Sequence, residues 1–259
     1  MQVDLPDPER KERERSFHND AFAGDKRAEM SGFYAVTRHS AEAFSEQILA
    51  RARDSVVLEY GCGPGTYAFQ LAKVAKKVVG IDISDVAIEI ARGRAISGGF
   101  DNTEFHTMDA EALSFADASF DLVCGRAIIH HLDVNRAFST ISRVLKPGGC
   151  ALFYEPLGHN PAINFYRSRT PEMRTIDEHP LLMSDVATAR RYFRKVSLEP
   201  FVLLALLAYP VRGTKLFDGT LRMLDSIDRL IFKIPGVGRM AWTSLWLLED
   251  PIPAGNSRP

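Results

Sequence analysis

The chain has 259 residues, 46% of them hydrophobic and 25% charged, with a formal net charge of -1. This is an ordinary globular composition, long enough for one sizeable domain, and its charge offers no global attraction to nucleic acid or an acidic membrane. Three scattered cysteines, Cys62, Cys124 and Cys150, suggest neither metal-ligand spacing nor a disulfide framework, so a reducing, cytoplasmic setting is the simplest expectation.

Residues 1–16 contain "ERKERER" with no apolar period, which predicts a frayed, disordered tail, and their charge does not read as a secretory signal. Residues 17–259 then form a single domain. Within 26–53, Phe33, Val36, Ala41, Phe44, Ile48 and Leu49 recur at helical spacing, predicting N-terminal lid helices. From 54 to 156 apolar strands alternate with amphipathic helices. The strands are "VVLEY", "KKVVGID", "TEFHTMD", "FDLVCGRA" and "CALFYEP"; the helices are "TYAFQLAKVA", "SDVAIEIARGRAI" and "VNRAFSTISRVL". Such alternation means βαβ units. Residues 157–195 lose the pattern and read as an inserted cap segment. Residues 196–250 supply a strand through "FVLLALLAYPV", a helix at "LRMLDSIDRLIFKI" and a last strand at "MAWTSLWLLED". The apolar run Phe201–Val211 is too short to cross a bilayer and reads as a buried strand. The expected fold is α/β: a doubly wound, mostly parallel seven-stranded Rossmann-like sheet with N-terminal helices and an inserted cap segment.

Gly61, Gly63 and Gly65 follow the first strand directly. In an open parallel sheet the loop there faces the ligand crevice, glycine lets a ligand approach the backbone, and the next helix offers free N–H groups. A dinucleotide fingerprint needs a third glycine where Thr66 stands, and Glu59 ahead of the loop would repel a pyrophosphate but welcome an ammonium. An NAD-dependent oxidoreductase is therefore the weaker of the nucleotide readings.

These residues resemble the class I S-adenosylmethionine-dependent methyltransferases, specifically the small-molecule enzymes of the type 11 and type 25 kind. Glu59, Gly61, Gly63 and Gly65 match the family's acidic-x-Gly-x-Gly-x-Gly motif, and the resemblance implies that they, with Cys62 between them, surround the methionine part of S-adenosyl-L-methionine. Asp82, about 20 residues on, ends the second strand as a ribose-binding acid does, with Ile83 placed to pack on the adenine. "MDAEALSF" resembles the segment that meets the adenine amino group, here Asp109 with Ala110, and "LKPGGCALFYEP" resembles the family's turn and fifth strand. Arg126 stands where the family often touches the cofactor's amino acid end, and Tyr34, in "SGFYAVTRHS", is the candidate aromatic over the sulfonium.

Methyl transfer is an in-line displacement, so the protein supplies orientation and dryness, and a base only where the nucleophile must lose a proton. His131, His159 and Glu155 lie after the fourth and fifth strands and are the candidate catalytic groups. The histidines lack H-x-x-x-H or similar ligand spacing, so no metal is expected. An Asn-Pro-Pro-Tyr-type motif after the fourth strand is replaced by "GRAIIH", which argues against DNA adenine methylation. The implied function is methyl transfer to an O, C or N atom of a small, lipophilic metabolite, with neither a nucleic-acid partner nor an integral membrane span. A protein of the same fold that binds the cofactor without methylating is the alternative. Oligomeric state is not legible.

Overall fold

A computed structural model describes residues 8–23, 34–171 and 175–253. A single sheet in the order β3-β2-β1-β4-β5-β7-β6 organises the chain. Its strands are β1 Val56–Tyr60, β2 Lys77–Asp82, β3 Thr103–Thr107, β4 Phe120–Arg126, β5 Leu145–Pro156, β6 Phe193–Phe201 and β7 Thr243–Pro251. β1 to β5 are parallel, and β7 runs antiparallel to both β5 and β6. The order reverses between β1 and β4, and the crevice outside that reversal is where such sheets bind ligands.

Both faces of the sheet are covered, which is why its central strands are almost continuously apolar. The helices are α1 Pro8–Ala23, α2 Arg38–Ala52, α3 Ala68–Leu71, α4 Asp85–Gly98, α5 Val134–Val144, α6 Pro161–Arg169, α7 Met183–Ala189 and α8 Phe217–Ile231. On one face Leu58, Tyr60, Val79 and Ile81 pack with Phe138, Ile141 and Val144 of α5. On the other, Val57 and Val78 pack with Phe44 and Ile48 of α2 and Ile88 of α4. Successive residues of β1 thus serve opposite faces, as the two-residue period of a strand requires. Ser84 caps α4 by accepting the Ala87 N–H at 3.1 Å, and Gly99, at φ +67°, ends it in the left-handed conformation. Asp133 caps α5 through the Arg136 N–H at 2.9 Å.

Three expectations are corrected. The tail is helical from Pro8, because α1 docks by polar contacts: Arg10 pairs with Glu111, Lys11 with Asp109, and Arg13 with Asp177 at 2.9 Å. Residues 1–7 lie outside the described residues, as do 26–33 of the expected lid helices. The helix over "TYAFQLAKVA" is only the short turn of α3, followed by turns back to β2.

The run Phe201–Val211 is not a strand. β6 ends at Phe201, Val202 adopts φ +64°, and Leu204–Val211 forms a 3-10 helix. The buried Asp228 of α8 accepts the N–H groups of Leu203, Leu204 and Ala205 at 2.8, 2.8 and 3.1 Å. A carboxylate that takes three consecutive backbone donors turns the chain out of the sheet and caps the helix. Between β5 and β6 the described residues include α6 and α7. Among the described residues, no helix is long and apolar enough to cross a membrane.

Candidate cofactor and substrate site

The carboxyl ends of β1, β2 and β4 converge on the glycine loop. Gly61, Gly63 and Gly65 have φ of +72°, +52° and +82°, a region that L side chains enter at a cost. A Cβ on Gly61 would stand 2.8 Å from the Ile128 side chain, and one on Gly63 would stand 3.0 Å from the Phe22 ring of α1. The loop is therefore closely covered, and α1 lies against it. Between the glycines, Cys62 is fully buried and donates its N–H to Ile81 at 2.8 Å, while its carbonyl accepts from Gly65 and Thr66. Burial pushes its thiol well up, so it acts as a packed turn residue.

Asp82 binds the loop directly. One oxygen accepts the Gly63 N–H at 2.8 Å, and the other accepts the Ser84 N–H at 2.9 Å. A carboxylate has about four acceptor positions, so two hydroxyls can still be held. Half-buried Ile83 follows it. Glu59 is 2% exposed, and its Oε1 accepts the Tyr67 N–H at 3.0 Å where α3 begins. Among the described residues its Oε2 is buried with no hydrogen-bond partner. Burial raises its carboxyl to about 8, against the lowering effect of the Tyr67 and Ala68 N–H groups, with nearby Asp82 adding to the rise.

Asp109 accepts the Glu111 N–H at 2.9 Å and pairs with Lys11. The Ala110 carbonyl accepts from the Tyr60 hydroxyl. Arg126 ends β4, donates to the Tyr67 hydroxyl at 3.2 Å and lies 5.3 Å from the Tyr154 ring centre. Among the described residues no carboxylate pairs with it. Burial acts to lower the Arg126 pKa, but Tyr67 and Tyr154, with a smaller part from Tyr34, raise it overall; Tyr34, 43% exposed, stacks on Trp242 at 5.6 Å. A buried acid, a cation whose described partners are aromatic groups and a positive-φ glycine loop thus meet around Tyr67 and the end of β1. They fit a ligand that carries both an ammonium and a carboxylate.

The expected catalytic groups separate. Glu155 is fully buried and accepts the Ile128 and Ile129 N–H groups, each at 2.9 Å, while its other oxygen lies 2.7 Å from His130 Nδ1. It staples the 3-10 turn Ile129–His131 to β5. His159 Nε2 accepts the Met183 N–H at 3.0 Å, which commits its lone pair to the start of α7. His131, 9% exposed, points its Nδ1 to within 3.1 Å of Glu14 Oε2. The structure therefore links Glu155 and His131 through one turn and leaves His159 in a capping position. Glu14, His18 and Glu111, which sequence reasoning leaves out, surround that turn together with His130 and Glu178. Their only local signal is the four-residue spacing of Glu14 and His18, which share a face of α1.

Residues 57–149 match the family model described as a methyltransferase domain. That stretch is therefore similar to a methyltransferase domain. Among curated relatives, a demethylmenaquinone methyltransferase of Chlorobaculum parvum is 37% identical over 107 residues, 40% of this chain and 42% of the relative. A ubiquinone biosynthesis O-methyltransferase of Sinorhizobium fredii is 35% identical over 94 residues, 36% of this chain and 38% of the relative. The matches span about two-fifths of the relatives' length. Among solved structures, the geranyl diphosphate C-methyltransferase of Streptomyces coelicolor superposes with a TM-score of 0.63 at 14% identity, covering 96% of this chain and all of that one. The [4+2]-cyclase SpnF superposes with a TM-score of 0.54 at 18% identity, covering 83% of this chain and 82% of that one. At such identities the superpositions establish the fold alone.

Proposed function

We propose that this chain is an S-adenosylmethionine-dependent methyltransferase acting on an O, C or N atom of a small, lipophilic metabolite. The observation that carries the reading is the buried, unpartnered Glu59 Oε2 beside a positive-φ glycine loop, with Asp82 closing the loop from β2. When bound, the cofactor supplies a methyl carbon already activated by its sulfonium; the acceptor's lone pair forms the new bond while the carbon–sulfur pair stays on sulfur. Glu59 would hold the ammonium and Arg126 the carboxylate. Asp82 would take the ribose hydroxyls, and Asp109 with Ala110 the adenine edge.

Glu155 serves as a positioning residue for the turn Ile129–His131, and His131 is the side chain there best placed to take an acceptor proton. His159 is set aside as a base because its Nε2 already accepts a backbone N–H. The lipophilic class is supported by the quinone-related names of the two relatives and by exposed Phe165, Leu207 and Leu216 in the segment after β5. Other aromatic residues of that segment, Phe193 and Phe217, are core. The fold neighbour named as a cyclase supports one alternative, cofactor binding without methyl transfer.

The two readings part when a labelled methyl group is followed from S-adenosylmethionine into a cell extract separated into protein, aqueous and solvent-extractable fractions. Label in the solvent fraction supports the proposal. Cofactor binding without label in any fraction favours the non-methylating alternative.

A further inference from the structure

We propose that Glu14, His18 and His131 form a binding site for one first-row divalent cation of the zinc class. The sequence reading sets a metal aside for want of local ligand spacing. Here, however, the ligands come from two elements far apart in the chain, α1 and the turn after β4. Glu14 Oε2 lies 3.1 Å from His131 Nδ1 and 3.5 Å from His18 Nε2, and all three ligand atoms fall within 4.8 Å of one another. A tetrahedral cation with bonds of about 2.0–2.1 Å sets its ligands about 3.3 Å apart, so two of these separations already suit one.

An independent observation points the same way. Glu14 is 5% and His131 9% exposed, and Glu14 Oε2 and His131 Nδ1, buried and 3.1 Å apart, make no well-aligned hydrogen bond among the described residues. Buried polar atoms rarely stay unsatisfied, and these two face each other. The second carboxylate oxygen of Glu14 is oriented by the Thr175 hydroxyl, and the His131 turn is held by Glu155. Both ligands thus have the outer support that metal sites use. A neighbouring group, His130, His131 and Glu178, also meets the distance limit. It is the weaker site, because His130 Nδ1 is engaged by Glu155 and Glu178 is paired with Arg167 at 2.8 Å.

Two imidazoles and one carboxylate suit zinc or cobalt better than magnesium or calcium, which prefer oxygen-only shells. Three protein ligands leave a fourth position open for water or a substrate oxygen, and a His131 bound through Nδ1 keeps its Nε2 protonated, so a cation here would replace the role of His131 as a proton acceptor. Because Glu14 and His18 belong to α1, the cation would also clamp that helix over the glycine loop that Phe22 touches.

The test is titration of the metal-free full chain with Zn²⁺ by calorimetry and with Co²⁺ by visible absorption. We expect one equivalent per chain and the intense visible bands of four-coordinate cobalt. Glu14→Gln and His18→Asn should each weaken binding by more than about 100-fold, and added Zn²⁺ should slow proteolysis within α1. His106→Asn, at a half-exposed histidine on β3 near Glu104, should leave binding unchanged. Circular dichroism identifies a variant that fails to fold, and the other then carries the result. No saturable binding, or binding untouched in a folded His18→Asn or Glu14→Gln protein, overturns the site. So does equal loss in His106→Asn. An ordinary imidazolium–carboxylate pair gives the first of these outcomes.

Discussion

The glycine-loop edge and the turn Ile129–His131 sit in the same crevice, but they are built differently. Along the edge, Glu59, Gly61, Gly63, Gly65 and Asp82 come from one βαβ unit and hold each other over short sequence distances, as in the 2.8 Å bond from the Gly63 N–H to Asp82. At the turn, Glu155, Glu14, His18 and Glu178 arrive from β5, α1 and the inserted segment. The first region is a local device that leaves a buried acid beside a positive-φ loop. The second is a non-local assembly whose geometry exists only when the whole domain is folded. Substitutions in the first should therefore read out as ligand affinity, and substitutions in the second as stability together with activity.

The largest expected effect is in the second region. Glu155→Ala strands two buried backbone N–H groups and the His130 ring at once, so it should cost about 3–5 kcal/mol in denaturant unfolding. Glu155→Gln should recover part of that loss. A full-stability Glu155→Ala protein would show that the turn does not depend on its staple.

Asp82→Ala should come next. Its main effect is an affinity loss for S-adenosylmethionine of roughly 10- to 100-fold, in line with about 1–3 kcal/mol of lost charged hydrogen bonds. Equilibrium dialysis measures it, and unchanged affinity would remove Asp82 from the site.

Glu59→Gln sharpens the comparison through pH. The carboxyl is raised to about 8 in the folded chain, from an ordinary 4.5. Between those values the unfolded chain has lost a proton that the folded chain keeps. The stabilising contribution of the neutral carboxyl is therefore whole below 4.5, declines as pH rises, and is gone above about 8. The slope reaches at most about 1.4 kcal/mol per pH unit. Unfolding curves across that window should flatten in Glu59→Gln; identical slopes would contradict the burial argument. The same proton predicts that cofactor binding near pH 7 releases protons, visible as a dependence of binding enthalpy on the buffer.

His159→Asn should have the smallest effect, within about 1 kcal/mol of stability and without a large loss of turnover. A deep loss of turnover at intact stability would return His159 to the chemistry.

What the sequence discloses follows the same division. The strand–helix alternation, the seven-stranded sheet and the positive-φ glycine loop were legible because each lies in a short window of apolar alternation or closely spaced glycine. Helix α1 was not: its few apolar groups give no helical stripe, and its docking rests on Arg10, Lys11, Glu14 and Asn19 meeting partners far along the chain. The run Phe201–Val211 failed for another reason. A short apolar run has no period to separate strand from helix, and Asp228, the residue that decides it, belongs to the next helix. For Glu155 the sequence left open a bond to substrate or to a histidine, and nothing in "YEPLGHNP" shows that it takes His130 and the two N–H groups of the turn after β4.

The most direct measurement is equilibrium dialysis of the full chain with labelled S-adenosylmethionine, competed by S-adenosylhomocysteine and repeated with folded Asp82→Ala. The structure predicts one saturable site per chain, emptied by the competitor and weakened roughly 10- to 100-fold by the substitution. A folded wild-type chain that binds no label, or binds it equally well without Asp82, would contradict the assignment of the glycine-loop edge as the cofactor site.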